Sequence, residues 1–208
     1  MEEIQWLGHS SFKIRGKGKV IYIDPYRIID HEPADFIFIT HPHTHHYSMN
    51  DLKKIAVEKT NIYAPASCIP ELELLPGWSL AVEPENTFSA GNLDITTIPA
   101  YNIRSNVHPR GERWTGFIID FDGMRVYHSG DTDLIPEMSA FRCDVALLPV
   151  GGKYTMDVDE ALQAVARIRP KVAIPMHWGD IVGTARDAER FREKAPADVQ
   201  VAILTPEG

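Results

Sequence analysis

His41, His43, His45 and His46 fall within six positions, directly after the apolar run Phe36-Ile37-Phe38-Ile39. A short, continuously apolar run reads as a buried strand, and imidazole is the commonest protein metal ligand near neutral pH. Two His separated by one residue just beyond a strand can turn toward one point. A solvated His-rich loop is the competing reading, but four of the chain's nine His gathered directly after a buried strand favour a metal. Two further apolar runs end in the same kind of residue. One leads into His128-Ser129-Gly130-Asp131, the other into Met176-His177-Trp178-Gly179. His108 comes from a long polar loop, residues 101–113, of a kind more often functional than merely connecting. Strand ends are where layered α/β folds assemble their sites. The four sources together therefore point to a dinuclear centre. Imidazole-rich ligation without thiolates suits zinc, with manganese and iron as alternatives. His128 lies inside its strand and is expected to pack or to support a neighbour.

Regular elements must hold these groups in place. Residues 4–14 read as strand, turn, strand, kinked at Gly8-His9-Ser10-Ser11, and residues 20–23 form a strand that ends at Asp24-Pro25. Asp24 is either a solvated turn residue or a partner for a metal-bound His. Ser48 and Asp51 have capping-box spacing, which starts a helix over 49–59. A strand at 61–64 and a short helix at 67–75 follow, and residues 78–100 alternate as a β-meander. Asp122-Gly123 is a two-residue hairpin signal between strands at 116–121 and 124–128. A strand at 145–150 leads to a helix capped by Asp157 with Glu160 at N3 and closed by Pro170. A strand at 172–175, a helix capped by Thr184 and running to Lys194, and a strand at 199–204 complete the chain. His31 sits in a polar loop and is expected to be exposed.

With 208 residues, 44% of them hydrophobic, the chain can bury a full core as one large domain or as a duplicated pair of halves. Its net charge of −8 argues against nucleic acid or an anionic membrane surface as the main partner. Cys68 and Cys143 are far apart, each in an apolar segment, which suits buried free thiols rather than a disulfide or a CxxC metal site. The opening Met1-Glu2-Glu3 is no secretory signal, and no apolar run reaches the length of a membrane span. A soluble, cytoplasmic protein is expected.

The run His41-Pro42-His43-Thr44-His45-His46 resembles the HxHxDH motif of the metallo-β-lactamase fold superfamily, and Gly130-Asp131-Thr132 and Met176-His177-Trp178-Gly179 continue the likeness. Trp6-Leu7-Gly8-His9-Ser10-Ser11-Phe12 and Asp24-Pro25 are similar to the branch that contains L-ascorbate-6-phosphate lactonase and many metal-dependent hydrolases. The resemblance covers essentially the whole chain. It implies a four-layer αβ/βα sandwich, residues 1–208 forming one α/β domain of two similar halves. It gives His41, His43 and His108 to a first metal, His46 and His177 to a second, and Asp131 to a bridge between them. Asp24 and His9 fall behind the ligands. Homo-oligomers occur among the lactonase relatives, so assembly of this chain is a reasonable expectation.

His45 stands where the superfamily motif has Asp. A His there can still ligate the second metal, but it removes a negative charge. With two Zn²⁺, a bridging hydroxide and Asp131, the site carries roughly +2, where an Asp would leave about +1. The added charge favours hydroxide formation and an anionic substrate while weakening the second cation. The implied chemistry is attack by metal-bound hydroxide on a small anionic ester, lactone or phosphodiester. Asp131 orients the nucleophile, and His45, if not a ligand, shuttles a proton. Arg104, Arg110, Arg113 and Lys153 are candidates to pair with a phosphate or carboxylate, with Tyr154 beside them. A phosphodiesterase or nuclease is the nearest alternative, and a metal-binding relative without activity is a second, for which His45 is the support.

Overall fold

The computed structural model describes residues 3–29, 31–121 and 123–207. They fall into two compact units, residues 3–83 with 205–207, and residues 84–204.

The first unit is built on one six-stranded sheet whose strands lie side by side in chain order. They are β1 (Glu3–Gly8), β2 (Ser11–Gly16), β3 (Lys19–Ile23), β4 (Phe36–Phe38), β5 (Asn61–Ala64) and β6 (Trp78–Ala81). The first three pair antiparallel through tight turns, and β3 to β6 pair parallel. Parallel neighbours need crossovers, and helices α1 (Met49–Ile55) and α2 (Ile69–Leu72) lie within two of them. Leu52, Ile55 and Leu72 of these helices are buried in one cluster with Leu7, Tyr22 and Ile37 of the sheet. The polarity of the strands has a direct consequence. β1, β3 and β4 all finish at the same sheet end, so His9, Asp24 and the histidine run leave from there.

The second unit holds a seven-stranded sheet, again in chain order. Its strands are β7 (Thr87–Ala90), β8 (Leu93–Pro99), β9 (Thr115–Phe121), β10 (Met124–His128), β11 (Val145–Pro149), β12 (Val172–Met176) and β13 (Gln200–Val201). β7 to β10 pair antiparallel and β10 to β13 parallel. Helices α3 (Val158–Ile168) and α4 (Ala185–Lys194) bury Ala161, Val165, Ile168 and Phe191 in the cluster that contains Ala146 and Leu148. Here β8, β10, β11 and β12 share one C-terminal end, which gathers the loops that carry His108, Asp131 and His177.

Several sequence expectations need correction. Residues 78–100 are not a meander. β6 pairs parallel with β5, while β7 and β8 form a hairpin in the other sheet. Alternation reports that a strand has two unlike faces and says nothing about its partner, and the chain changes units after Glu83. The helix expected over 49–59 stops at Ile55. Ala56 is extended and a turn closed by Thr60, whose hydroxyl accepts from Val57 N at 2.9 Å, feeds straight into β5. The 67–75 helix is reduced to a 3₁₀ turn and the four residues of α2, and the last strand to Gln200–Val201. The hairpin between β9 and β10 begins its pairing at Phe121 and Met124; Asp122, like Met1 and Glu2, lies outside the described residues. Cys68 and Cys143 are buried free thiols, and His31 is exposed, as expected. No helix among the described residues is long and apolar enough to cross a membrane.

Candidate metal centre

In the first unit the buried strand β4 runs on through Ile39, Thr40 and His41, all buried. The chain then turns sharply, with His46 N and Tyr47 N both donating to His43 O at 2.9 Å. That turn crowds the rings together, edge-on for His43 and tilted for His46. The His41 centroid lies 4.7 Å from that of His43 and 4.0 Å from that of His46.

Asp24 organises this cluster. It is fully buried at the end of β3, in the left-handed region at φ 48°. One carboxylate oxygen accepts from Thr40 N at 2.8 Å. The other accepts the Thr40 hydroxyl at 2.6 Å and lies 2.7 Å from His46 Nδ1. A carboxylate only accepts, so His46 carries its proton on Nδ1 and turns the Nε2 lone pair outward. Thr40 has one hydroxyl proton and gives it to Asp24, so it accepts from His41 Nδ1, 2.9 Å away. His41 is thereby set in the same tautomer. Ligand atoms of Asp24, His41 and His46 lie within 4.8 Å of one another. His9, buried at φ 51°, places its ring edge-on to His46 and His45 at 5.4 and 5.8 Å. His45 is half-buried and meets the Tyr26 ring edge-on at 5.3 Å.

In the second unit three buried groups converge. Asp131 Oδ2 lies 3.0 Å from His177 Nε2 and 3.5 Å from His108 Nε2. His177 sits at φ 58° directly after β12. Its backbone crosses Gly151 so closely that a Cβ there would stand 2.4 Å from His177 O. His108 is held from behind, its Nδ1 2.9 Å from Asn102 Oδ1. His128 is buried and accepts from Gly130 N at 3.1 Å, so it shapes the turn that leads to Asp131.

This donor set fits a divalent cation. Three imidazoles, those of His41, His46 and His108, have Nδ1 engaged by an oxygen, as metal-ligating His usually do. Carboxylates accompany them in both units. Burial pushes the Cys68 and Cys143 thiols up to about 12, so neither supplies a thiolate near neutral pH. The donors these clusters offer are nitrogen and oxygen.

Residues 3–177 match the family model described as "Beta-lactamase superfamily domain". The chain belongs to the β-lactamase superfamily. Within it the chain groups with the UPF0173 metal-dependent hydrolases, being 36% identical to the one from Archaeoglobus fulgidus over 98% of this chain and 96% of that one. Among solved structures it is similar to a candidate metal-dependent hydrolase from Parabacteroides distasonis, 31% identical with a TM-score of 0.85, covering 98% of this chain and 94% of the other. It is also similar to Igni18, a metallo hydrolase from Ignicoccus hospitalis, 27% identical with a TM-score of 0.83 over 99% and 95% of the two chains. The α/β fold with two mixed sheets is the metallo-β-lactamase fold.

Among the basic residues expected to bind substrate, two are already engaged. Arg104 pairs with Glu160 at 2.7 Å, and Arg110 pairs with Glu137 at 2.9 Å while lying over the Tyr101 ring. Arg113 is the left-handed residue that ends the 3₁₀ turn at 110–112. Lys153 is exposed and rests over the half-buried Tyr154 ring, 4.9 Å away. Three residues that steer the ligands escaped the sequence reading: Thr40, Asn102 and Asp133. Thr40 was adjacent to the motif and Asp133 followed Asp131 by two positions, but nothing in their spacing announces a hydrogen-bond partner.

Proposed function

We propose that this member of the metal-dependent hydrolases holds two divalent ions, zinc foremost, and opens a small anionic lactone, ester or phosphodiester. The observation that supports it is the set of fixed tautomers at His41, His46 and His108, each with Nε2 presented and Nδ1 spent on an oxygen. Following the superfamily pattern, His41, His43 and His108 serve one ion. His46, His177 and His45 serve the other, and Asp131 is common to both. A divalent ion in such a setting lowers the pKa of water from 15.7 to about 7 and polarises the bond under attack.

The chain's own residues do the rest. Asp131 keeps an acceptor oxygen at the reacting centre and orients the attacking water. Asp24, through His46 and through Thr40 on His41, keeps two imidazoles basic and immobile. Anion recognition falls to the exposed Lys153, because Arg104 and Arg110 are drawn toward Glu160 and Glu137. Where His45 is not a ligand, its ring, edge-on to Tyr26 and His9, stands ready to pass a proton to the departing oxygen.

Metal content per chain, measured by elemental mass spectrometry on protein purified without chelator, tests the reading. Two equivalents together with turnover of lactones or phosphodiesters is the expected result, and loss of turnover in EDTA should reverse on adding zinc. His45→Asp separates an enzyme from an inactive metal-binding relative. Absence of turnover in the natural chain, restored by this change, would replace the hydrolase reading with the inactive one.

A further inference from the structure

The loop between β8 and β9 carries a ligand, His108, on a stretch with no regular secondary structure. Something must fix it, and four hydrogen bonds from within the loop converge on Asn102, which is buried. Its Oδ1 accepts from His108 N at 3.1 Å, from Ser105 Oγ at 2.8 Å and from His108 Nδ1 at 2.9 Å. Its backbone N donates to His108 O at 2.8 Å. The amide orientation is not free to reverse, because its nitrogen donates to Tyr154 O at 2.9 Å and to Asp133 Oδ1 at 3.1 Å. A backbone N–H on one side demands the oxygen there, and a backbone carbonyl on the other demands the nitrogen. Asp133 in turn accepts Ile103 N at 2.8 Å and Arg104 N at 3.1 Å.

We infer that Asn102 is the positioning residue that makes His108 an Nε2 ligand, and that Asp133 holds Asn102 in the only orientation able to do so. The inference rests on the metal reading above, and it adds the residues that set this ligand's tautomer and ring direction. A metal-bound His commonly leans on a carboxylate or a carbonyl. Here a neutral amide takes that place, and the carboxylate stands one hydrogen bond further back. The arrangement adds no charge directly behind His108 while still anchoring the ring to an ionised group.

The experiment uses the full chain with ¹⁵N-labelled histidine. Zinc alone is titrated against a chromophoric chelator, and the metal-free protein is examined by long-range ¹H–¹⁵N NMR for the His108 tautomer. In the natural chain His108 should be a single Nδ1–H tautomer. Asn102→Ala should leave a tautomer mixture and weaken zinc binding ~10–100-fold, the range typical of lost outer partners. Asn102→Asp should also weaken it, since a carboxylate would then face both Asp133 and Tyr154 O. Combining Asn102→Asp with Asp133→Asn restores the donor–acceptor pair with residue 133 while Tyr154 O still faces a carboxylate, so it should recover part of the affinity and of the single tautomer lost in Asn102→Asp, even if Asn102→Ala fails to fold. Natural zinc affinity and a fixed tautomer in Asn102→Ala would overturn the inference, as would a double variant no better than Asn102→Asp. If the natural chain bound no zinc, the metal reading would fall, while the tautomer would still decide what Asn102 does to His108.

Discussion

Thr40 carries more consequence than its size suggests. Its hydroxyl links the buried Asp24 carboxylate to the His41 ring. Thr40→Val keeps the shape and removes the relay, taking one donor from Asp24 Oδ2 and the Thr40 acceptor from His41 Nδ1. Such a loss costs ~1–3 kcal/mol and frees His41 to change tautomer. Zinc affinity should fall ~10-fold or more, read by competition with a chelator, and melting should come a few degrees earlier. Gly151 is a second such position. The Cβ of Gly151→Ala would lie 2.4 Å from His177 O and 2.9 Å from Val182 Cγ2, so backbone has to move. Overpacking of this kind costs ~1–3 kcal/mol. Here the displaced group belongs to a proposed ligand, so metal content should drop along with thermal stability. The histidines themselves were legible in the sequence because they crowd into six positions after an apolar run. Thr40 and Asn102 were not, since what they do depends on which side chains approach them through space.

Helix α1 is only seven residues long, yet its first turn anchors the loop that follows Asp24. Ser48 caps it as its spacing predicts, accepting from Asp51 N at 3.4 Å. The reciprocal half of the capping box is absent. Asp51 turns instead to accept Arg27 N at 2.9 Å and Ile28 N at 3.0 Å, with Lys54 Nζ at 2.7 Å. Burial alone would raise the Asp51 carboxyl. Lys54, the Ser48 hydroxyl and the two backbone donors outweigh burial and hold it below its ordinary value. A carboxyl depressed on folding contributes stability above its unfolded pKa of about 4, and that contribution is lost as pH falls through the lower folded value. Melting temperature should therefore decline below about pH 4. Asp51→Asn should flatten that acid limb while costing ~1–3 kcal/mol at neutral pH, both read from melting curves across pH. The sequence signalled a cap at this position. It could not signal that the capping carboxylate serves a loop more than twenty positions earlier, because Asp51 and Arg27 are joined only by the fold.

Most strands could be read from the chain because apolar runs are punctuated by Gly and Pro, as at Gly16-Lys17-Gly18 and Asp24-Pro25. What could not be read was their grouping. β6 and β7 look like neighbours in a meander and belong to different sheets. Parallel pairing is decided by crossovers and buried faces far apart in sequence, which local alternation does not record. Each sheet is nevertheless assembled from one continuous stretch, with a single exception. Residues 205–207 return to the first unit, where Glu207 N donates to Trp6 O at 2.8 Å and the Glu207 carboxylate accepts from Gln5 Nε2 at 2.8 Å. β1 is the last strand on its side of the sheet, and this return covers part of its open edge. Removing residues 205–208 should lower the melting temperature by ~2–4 °C per kcal/mol lost. Hydrogen exchange should quicken in β1 and leave β10 to β12 unchanged.

The order of synthesis gives that returning segment a further meaning. β1 is made well before the residues that cover it, which are translated only after residues 84–204. At roughly 5–20 residues per second the edge of β1 stays bare for on the order of 10–40 s. An uncovered edge strand is a template for pairing with another chain. The nascent protein therefore passes through a window in which polysome neighbours can join edge to edge, and a chaperone that shields strand edges would act on this chain then.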